Sequence, residues 1–138
     1  TARQTVRQVK LLLDTCAFIW IASNPGRVSQ TARTLFSRPG AGVWLSAVSA
    51  WEIAIKHRLG RLRLPGGMLP WPYVQEACRR HRIDLLPLTA EASALLDKLP
   101  EIHCDPFERM LVCQAIAEQM TILTPDPSIA QYPVMTQW

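Results

Sequence analysis

The chain has 138 residues, 49% hydrophobic and 19% charged, a balance that fits one globular domain with a sizeable core and excludes a disordered tail. No apolar run approaches the ~20 residues of a membrane span, and the first residues lack the charged-then-apolar layout of a secretory leader, so a cytoplasmic protein is expected. The net charge of +4 is a mild pull toward a polyanion, and the four cysteines contain no C-x-x-C pair, which argues against structural zinc. Cys16, Cys78, Cys104 and Cys113 read as free, mostly buried thiols.

Residues 1–8 read as a disordered or vector-derived lead-in, and 9–138 as a single domain. Val9–Leu13 is a continuous apolar run stopped by Asp14, the pattern of a strand buried on both faces. Cys16–Ala22 is an apolar piece of strand or turn length. Ser29 predicts the cap of a helix to about Ser37, with Ala32, Leu35 and Phe36 inward. After a turn at Arg38–Gly42, a short strand at Val43–Leu45 ends at Ser46. A helix then spans about Ala47–Leu59, with Gly60 as its stop. Arg61–Pro72, rich in proline and glycine, reads as a loop before a helix over Tyr73–His81. Ile83–Leu86 is a third strand, and Thr89 caps a helix over Ala90–Lys98. Asp105–Pro106 opens a helix to about Gln119, Thr121–Leu123 is a fourth strand, and a short fifth falls around Val134–Met135. Strands alternating with helices predict an α/β domain with a mainly parallel sheet of four to five short strands.

In such a sheet, strand C-termini and the helix starts that follow them share one edge, where ligands bind. Asp14 ends the first strand and Asp126 follows the fourth. Asp105 and Glu108 sit in the first turn of the helix feeding that strand, and Glu52 in the second turn of the helix after strand two. All five map to one rim. Each also has a structural reading: a turn cap at Asp14, capping boxes at Ser49-x-x-Glu52 and Asp105-x-x-Glu108, and a turn at Asp126-Pro127. Glu52 resists it, because it falls inside the apolar stripe Val48, Trp51, Ile55 and Leu59, with Lys56 and Arg58 read as pointing elsewhere. An inward carboxylate costs several kcal/mol, in order of magnitude, unless a positive charge meets it. Oxygen ligands without His or Cys suit Mg²⁺ or Mn²⁺, one or two ions, which activate water and stabilise a leaving oxygen in phosphodiester hydrolysis.

Lys56, Arg58, Arg61 and Arg63 form one basic run with His57, and Arg79, Arg80 and Arg82 a second with His81. Either run suits the phosphates of a polyanion, and equally a solvated helix end. Arg109, at i+4 from Asp105, predicts an ion pair ordering the site. Trp44 and Trp51 read as core, Trp71 and Trp138 as exposed, and His57, His81 and His103 as surface residues.

The runs LLLDT (11–15), SAVSAWEIAIKHRLGRLRLP (46–65) and HCDPFERMLVCQAIAEQMTILTPD (103–126) together resemble PIN-domain ribonucleases of the VapC toxin type. The resemblance implies a compact three-layer α/β/α sandwich, often dimeric, held inactive by a cognate antitoxin. It implies metal-dependent cleavage of single-stranded RNA that leaves 5′-phosphate and 3′-hydroxyl ends. By position Asp14, Glu52 and Asp126 match the family's acids. Glu108 stands where members with a DPFDR run carry Asp, and Asp105 could share its role. Thr15, Ser46 and Thr124 match polar positions lining the family's pocket, Arg109 is expected beside them, and Cys104, where Arg is common, reads as neutral for chemistry. A haloacid dehalogenase-type phosphatase would need Asp at position 16, which is Cys, and a Rossmann binder needs a glycine-rich turn absent from Thr15–Ala17. A PIN-like module that binds RNA or protein without cutting remains the alternative.

Overall fold

The computed structural model describes residues 9–102 and 105–138. The expectations for the lead-in, for His103 and for Cys104 lie outside the described residues. Strand β1 (Lys10–Leu13) is central: its three leucines are almost fully buried, as an apolar strand covered on both sides requires. Leu11 and Leu13 face one layer and Leu12 the other, following the twofold alternation of a strand. With β2 (Gly42–Ser46), β3 (Asp84–Leu86), β4 (Thr121–Leu123) and β5 (Thr136–Gln137), β1 forms a parallel sheet of order β3-β2-β1-β4-β5.

Helices α1 (Thr15–Ser23), α2 (Gln30–Ser37), α3 (Ala47–Arg58) and α4 (Pro70–His81) supply Phe18, Ala32, Ile53 and Val74 to the layer on Leu11 and Leu13. Helix α6 (Pro106–Glu118) supplies Leu111, Val112 and Ala115 to the layer on Leu12 and packs against α5 (Ala90–Ala94). This is the expected three-layer α/β/α sandwich. The chain moves from β1 to β2 and β3 on one side, then crosses to β4 on the other. The carboxyl ends of β1 and β4 therefore flank the point where the winding reverses, the usual place for a ligand crevice.

Four elements differ from expectation. Helix α1 replaces the strand- or turn-length piece at Cys16–Ala22; its sequence TCAFIWIAS has almost no polar face, so no helical period shows. Helix α4 starts at Pro70 rather than Tyr73, because a helix's first N–H groups have no intrahelical acceptor and Pro70 and Pro72 lose nothing there. Helix α5 ends at Ala94 and tightens into a 3₁₀ turn over Leu95–Lys98. Strand β5 lies two residues later than expected, with Thr136 opposite Ile122 and Gln137 opposite Leu123.

Candidate functional site

Asp14 leaves β1 and caps α1: its Oδ1 accepts from the Ala17 amide at 2.7 Å. Thr124, at the matching position after β4, donates its hydroxyl to Asp14 Oδ2 at 2.5 Å, and its own Oγ1 accepts from the Asp126 amide at 3.0 Å. The two switch-point strands are thus tied together through the acid. The capping reading of Asp14 is true as geometry, yet capping alone explains poorly why an acid stands here. Burial pushes its carboxyl up to about 6, opposed by the bonds from Thr124 and Ala17 and reinforced by the charges of Asp126 and Glu52.

Glu52 is buried, as expected, but on a different helix face. The inward residues of α3 are Val48, Ser49, Glu52 and Ile53, whereas Trp51 and Leu59 are 61% and 60% exposed. Trp51 is therefore not core; its ring meets the edge of Phe107 at 5.2 Å between centroids. The helix is capped by Ser46, whose Oγ accepts from the Val48 amide, so the expected Ser49–Glu52 capping box does not form. Ser49 Oγ is buried and has no hydrogen-bond partner among the described residues. Glu52 Oε1 accepts from the Thr15 hydroxyl at 2.6 Å, and Oε2 forms an ion pair with Lys56. Lys56 thus turns toward Glu52 rather than away, at the i, i+4 spacing that brings side chains together on a helix.

At the start of α6, Asp105 is the N-cap, with Oδ1 accepting from the Phe107 and Glu108 amides at 2.9 and 3.3 Å. Asp126 Oδ1 accepts from the Ser128 amide and hydroxyl at 2.9 and 2.8 Å, the expected turn. Glu108 carries the strongest perturbation: burial, a hydrogen bond to Asp126 and the charges of Asp105, Asp126 and Asp14 push its carboxyl up to about 8. Glu108 therefore keeps its proton to higher pH than an ordinary carboxyl, hydrogen bonded to Asp126.

Asp14, Glu52, Asp105, Glu108 and Asp126 line one cavity of about 490 Å³, with Thr15, Lys56 and Arg61 among its other walls. Cys16, Ile19, Trp20, Leu62, Leu111 and Pro125 complete the lining, and none of these was singled out from sequence for the site. The Cys16 thiol is pushed up to about 11, mainly by burial and the Asp14 charge, so it is no nucleophile at neutral pH. Of the four polar residues expected to line the pocket, only Thr15 does. Ser46 and Thr124 lie beneath the surface as supports, Ser46 hydrogen bonding to Gln114. Arg109 instead donates to the Pro100 carbonyl at 3.0 Å and lies against Tyr132. Among the described residues, no three carboxylates converge closely enough to make a ready-made metal cage. Of the basic runs, Lys56 and Arg61 reach the cavity. Arg80 and Arg82 line a cleft with Arg38 at the other end of the strands.

A family model for the PIN domain matches residues 11–134, and the chain belongs to that family. None of the curated proteins compared with it matches. Among solved structures, VapBC2 from Rickettsia felis, bound to a DNA fragment of its promoter, is similar with a TM-score of 0.71 at 11% identity, over 94% of this chain and 98% of that one. DNA-bound VapBC from Salmonella typhimurium gives 0.67 at 14% identity, over 94% and 98%. FitAcB from Neisseria gonorrhoeae gives 0.55 at 23% identity, over 91% and 95%. At these identities the likeness is one of fold.

Proposed function

We propose that this protein is a divalent-metal-dependent endoribonuclease of the VapC type, the toxin of a toxin–antitoxin pair, which hydrolyses phosphodiester bonds of single-stranded RNA. The observation that carries this reading is the gathering of five carboxylates, from four separate stretches of chain, into one cavity at the switch point of the sheet. Two of them, Asp14 and Glu108, hold their protons well above the ordinary carboxylate range. An arrangement that burdens itself with buried like charges suits a site made for a cation.

The donors are all oxygens, the set that Mg²⁺ and Mn²⁺ favour. Asp14, Glu52 and Asp126, with Asp105 or Glu108, would hold one or two such ions. When bound, the ions supply the positive charge that activates water and stabilises the leaving oxygen. The chain's own residues do the rest. Thr124 and Ala17 orient the Asp14 carboxylate, Thr15 orients Glu52, and Glu108, whose carboxyl is pushed up to about 8, would release its proton to solvent when a cation binds. Lys56 and Arg61 present positive charge where an RNA phosphate would enter. Arg58 and Arg63 extend that run, whereas Arg79, Arg80 and Arg82 would serve a separate stretch of RNA.

One alternative has support of its own: a PIN-like module that binds RNA or protein with weak catalysis. Glu108 in place of Asp favours it, as does the lack of a converged cage among the described residues. The VapBC neighbours support a cognate antitoxin as partner. Exposed Trp51 on α3, Leu59 just past its end and Trp71 on α4 would suit that partner or a homodimer. No helix among the described residues is long and apolar enough to cross a membrane, which fits the proposed cytoplasmic setting. We assign residues 9–138 to one domain. The test is cleavage of single-stranded RNA by purified protein with Mn²⁺. Wild type should cut and Asp14→Asn should not; equal cleavage by both overturns the assignment.

A further inference from the structure

Glu52 already has a cation of its own. Lys56 Nζ lies on Oε2 while the Thr15 hydroxyl occupies Oε1, so both oxygens of this buried acid are engaged. The two partners differ in solvation: the Lys56 side chain is 45% exposed and that of Glu52 only 8%. A pair of this spacing on an open helix surface contributes little. Here the ammonium replaces the hydration that Glu52 lost on burial, the service a divalent cation would render at the same oxygen. Two cations cannot share that oxygen without strong repulsion in a partly desolvated cavity.

We propose that Lys56 is an internal competitor for the metal position at Glu52, an inference that rests on the metal-centre reading above. In the metal-free chain Lys56 holds Glu52 in place. Loading the site requires the ammonium to leave Oε2, and its four-carbon stem lets it swing to another part of the cavity wall, which also includes Arg61. Metal affinity is therefore lower than the five carboxylates would otherwise give, and the site fills only when the free divalent ion is abundant enough to displace the lysine.

The test is a calorimetric titration of Mn²⁺ into the metal-free protein, comparing wild type with Lys56→Met and Lys56→Arg. Lys56→Met keeps the stem and removes the charge, and it should bind Mn²⁺ tighter by about tenfold or more. Lys56→Arg keeps the charge and should stay within about threefold of wild type. The melting temperature of metal-free Lys56→Met should fall below wild type, and saturating Mn²⁺ should close the gap, a pattern that a merely structural surface pair would not give. Equal or weaker Mn²⁺ binding by Lys56→Met overturns the inference and leaves the metal centre standing. Absence of Mn²⁺ binding in all three proteins overturns both.

Discussion

The two edges of the sheet are made from the same kind of strand–helix connection, yet they treat charge in opposite ways. At the carboxyl edge, Asp14 and Glu52 are buried, and Thr124, Thr15 and Lys56 are drawn in to satisfy them. At the amino edge, Arg38, Arg80, His81 and Arg82 line a cleft of about 290 Å³. Arg79 and Arg80 there lie 2.7 and 3.6 Å from Glu76, with their side chains mostly in solvent. Exposed pairs cost the fold almost nothing and contribute little. Buried carboxylates cost it a great deal, so their presence needs a reason beyond folding. Function concentrates where the chain tolerates unfavourable electrostatics.

Substitutions at the two edges should separate most sharply in activity. Asp14→Asn should lower Mn²⁺-dependent RNA cleavage by more than the ~100-fold typical of losing an outer-shell partner. Alanine at both Arg80 and Arg82 should change the cleavage rate less than about threefold, because exposed charges far from the chemistry act mainly through long-range, salt-screened attraction. A large rate loss from the arginine pair would erase the distinction between the edges. In stability the order should reverse. Asp14→Asn removes a buried charge while keeping an oxygen for the Ala17 amide, and it should stabilise the metal-free protein by about 1–3 kcal/mol at alkaline pH. Thermal melts in chelator provide the check, and a lower melting temperature would count against the strain assigned to Asp14.

The pH dependence follows from the same two acids. In the folded chain Asp14 and Glu108 keep their protons to about 6 and about 8, whereas an unfolded chain releases them near 3.8 and 4.5. Between those values the folded state binds more protons, so the stability of the metal-free protein falls as pH rises through the window. Melts from about pH 5 to about pH 8 should show that decline, and Mn²⁺ should flatten it because the ion replaces the lost protons. A rise in metal-free stability over this range would contradict the raised values.

Smaller effects distinguish the two serines of α3. Ser46→Ala removes the cap and the bond to Gln114 and should cost about 1 kcal/mol or more. Ser49→Ala removes a buried hydroxyl without a partner among the described residues and should be neutral or stabilising by up to about 1 kcal/mol. Denaturant midpoints would show both.

The sandwich was legible because β1, β4 and the strand–helix alternation carry their own signals: Leu11–Leu13 can only be a strand covered twice, and Asp105–Pro106 can hardly do anything but start a helix. Helix α1 was not legible, since its outward residues Ile19 and Trp20 are themselves apolar and partly covered, Trp20 by Trp138. The acids of the cavity were legible from their positions at strand and helix ends. Lys56 was visible at the right spacing from Glu52 but was read as turned away, because large apolar residues on α3 suggested the wrong inner face. That face holds Ser49 and Glu52 beside Val48 and Ile53, so half of what it buries is polar. Hydrophobic pattern alone cannot find a face of that composition.

The most direct measurement is a crystal structure of the protein soaked in Mn²⁺ at alkaline pH, with the ion located by its anomalous scattering. A peak is expected against Asp14 and Glu52, with the Lys56 amine withdrawn from Glu52 Oε2. An empty cavity with the Glu52–Lys56 pair intact, or Mn²⁺ bound only elsewhere, would contradict it.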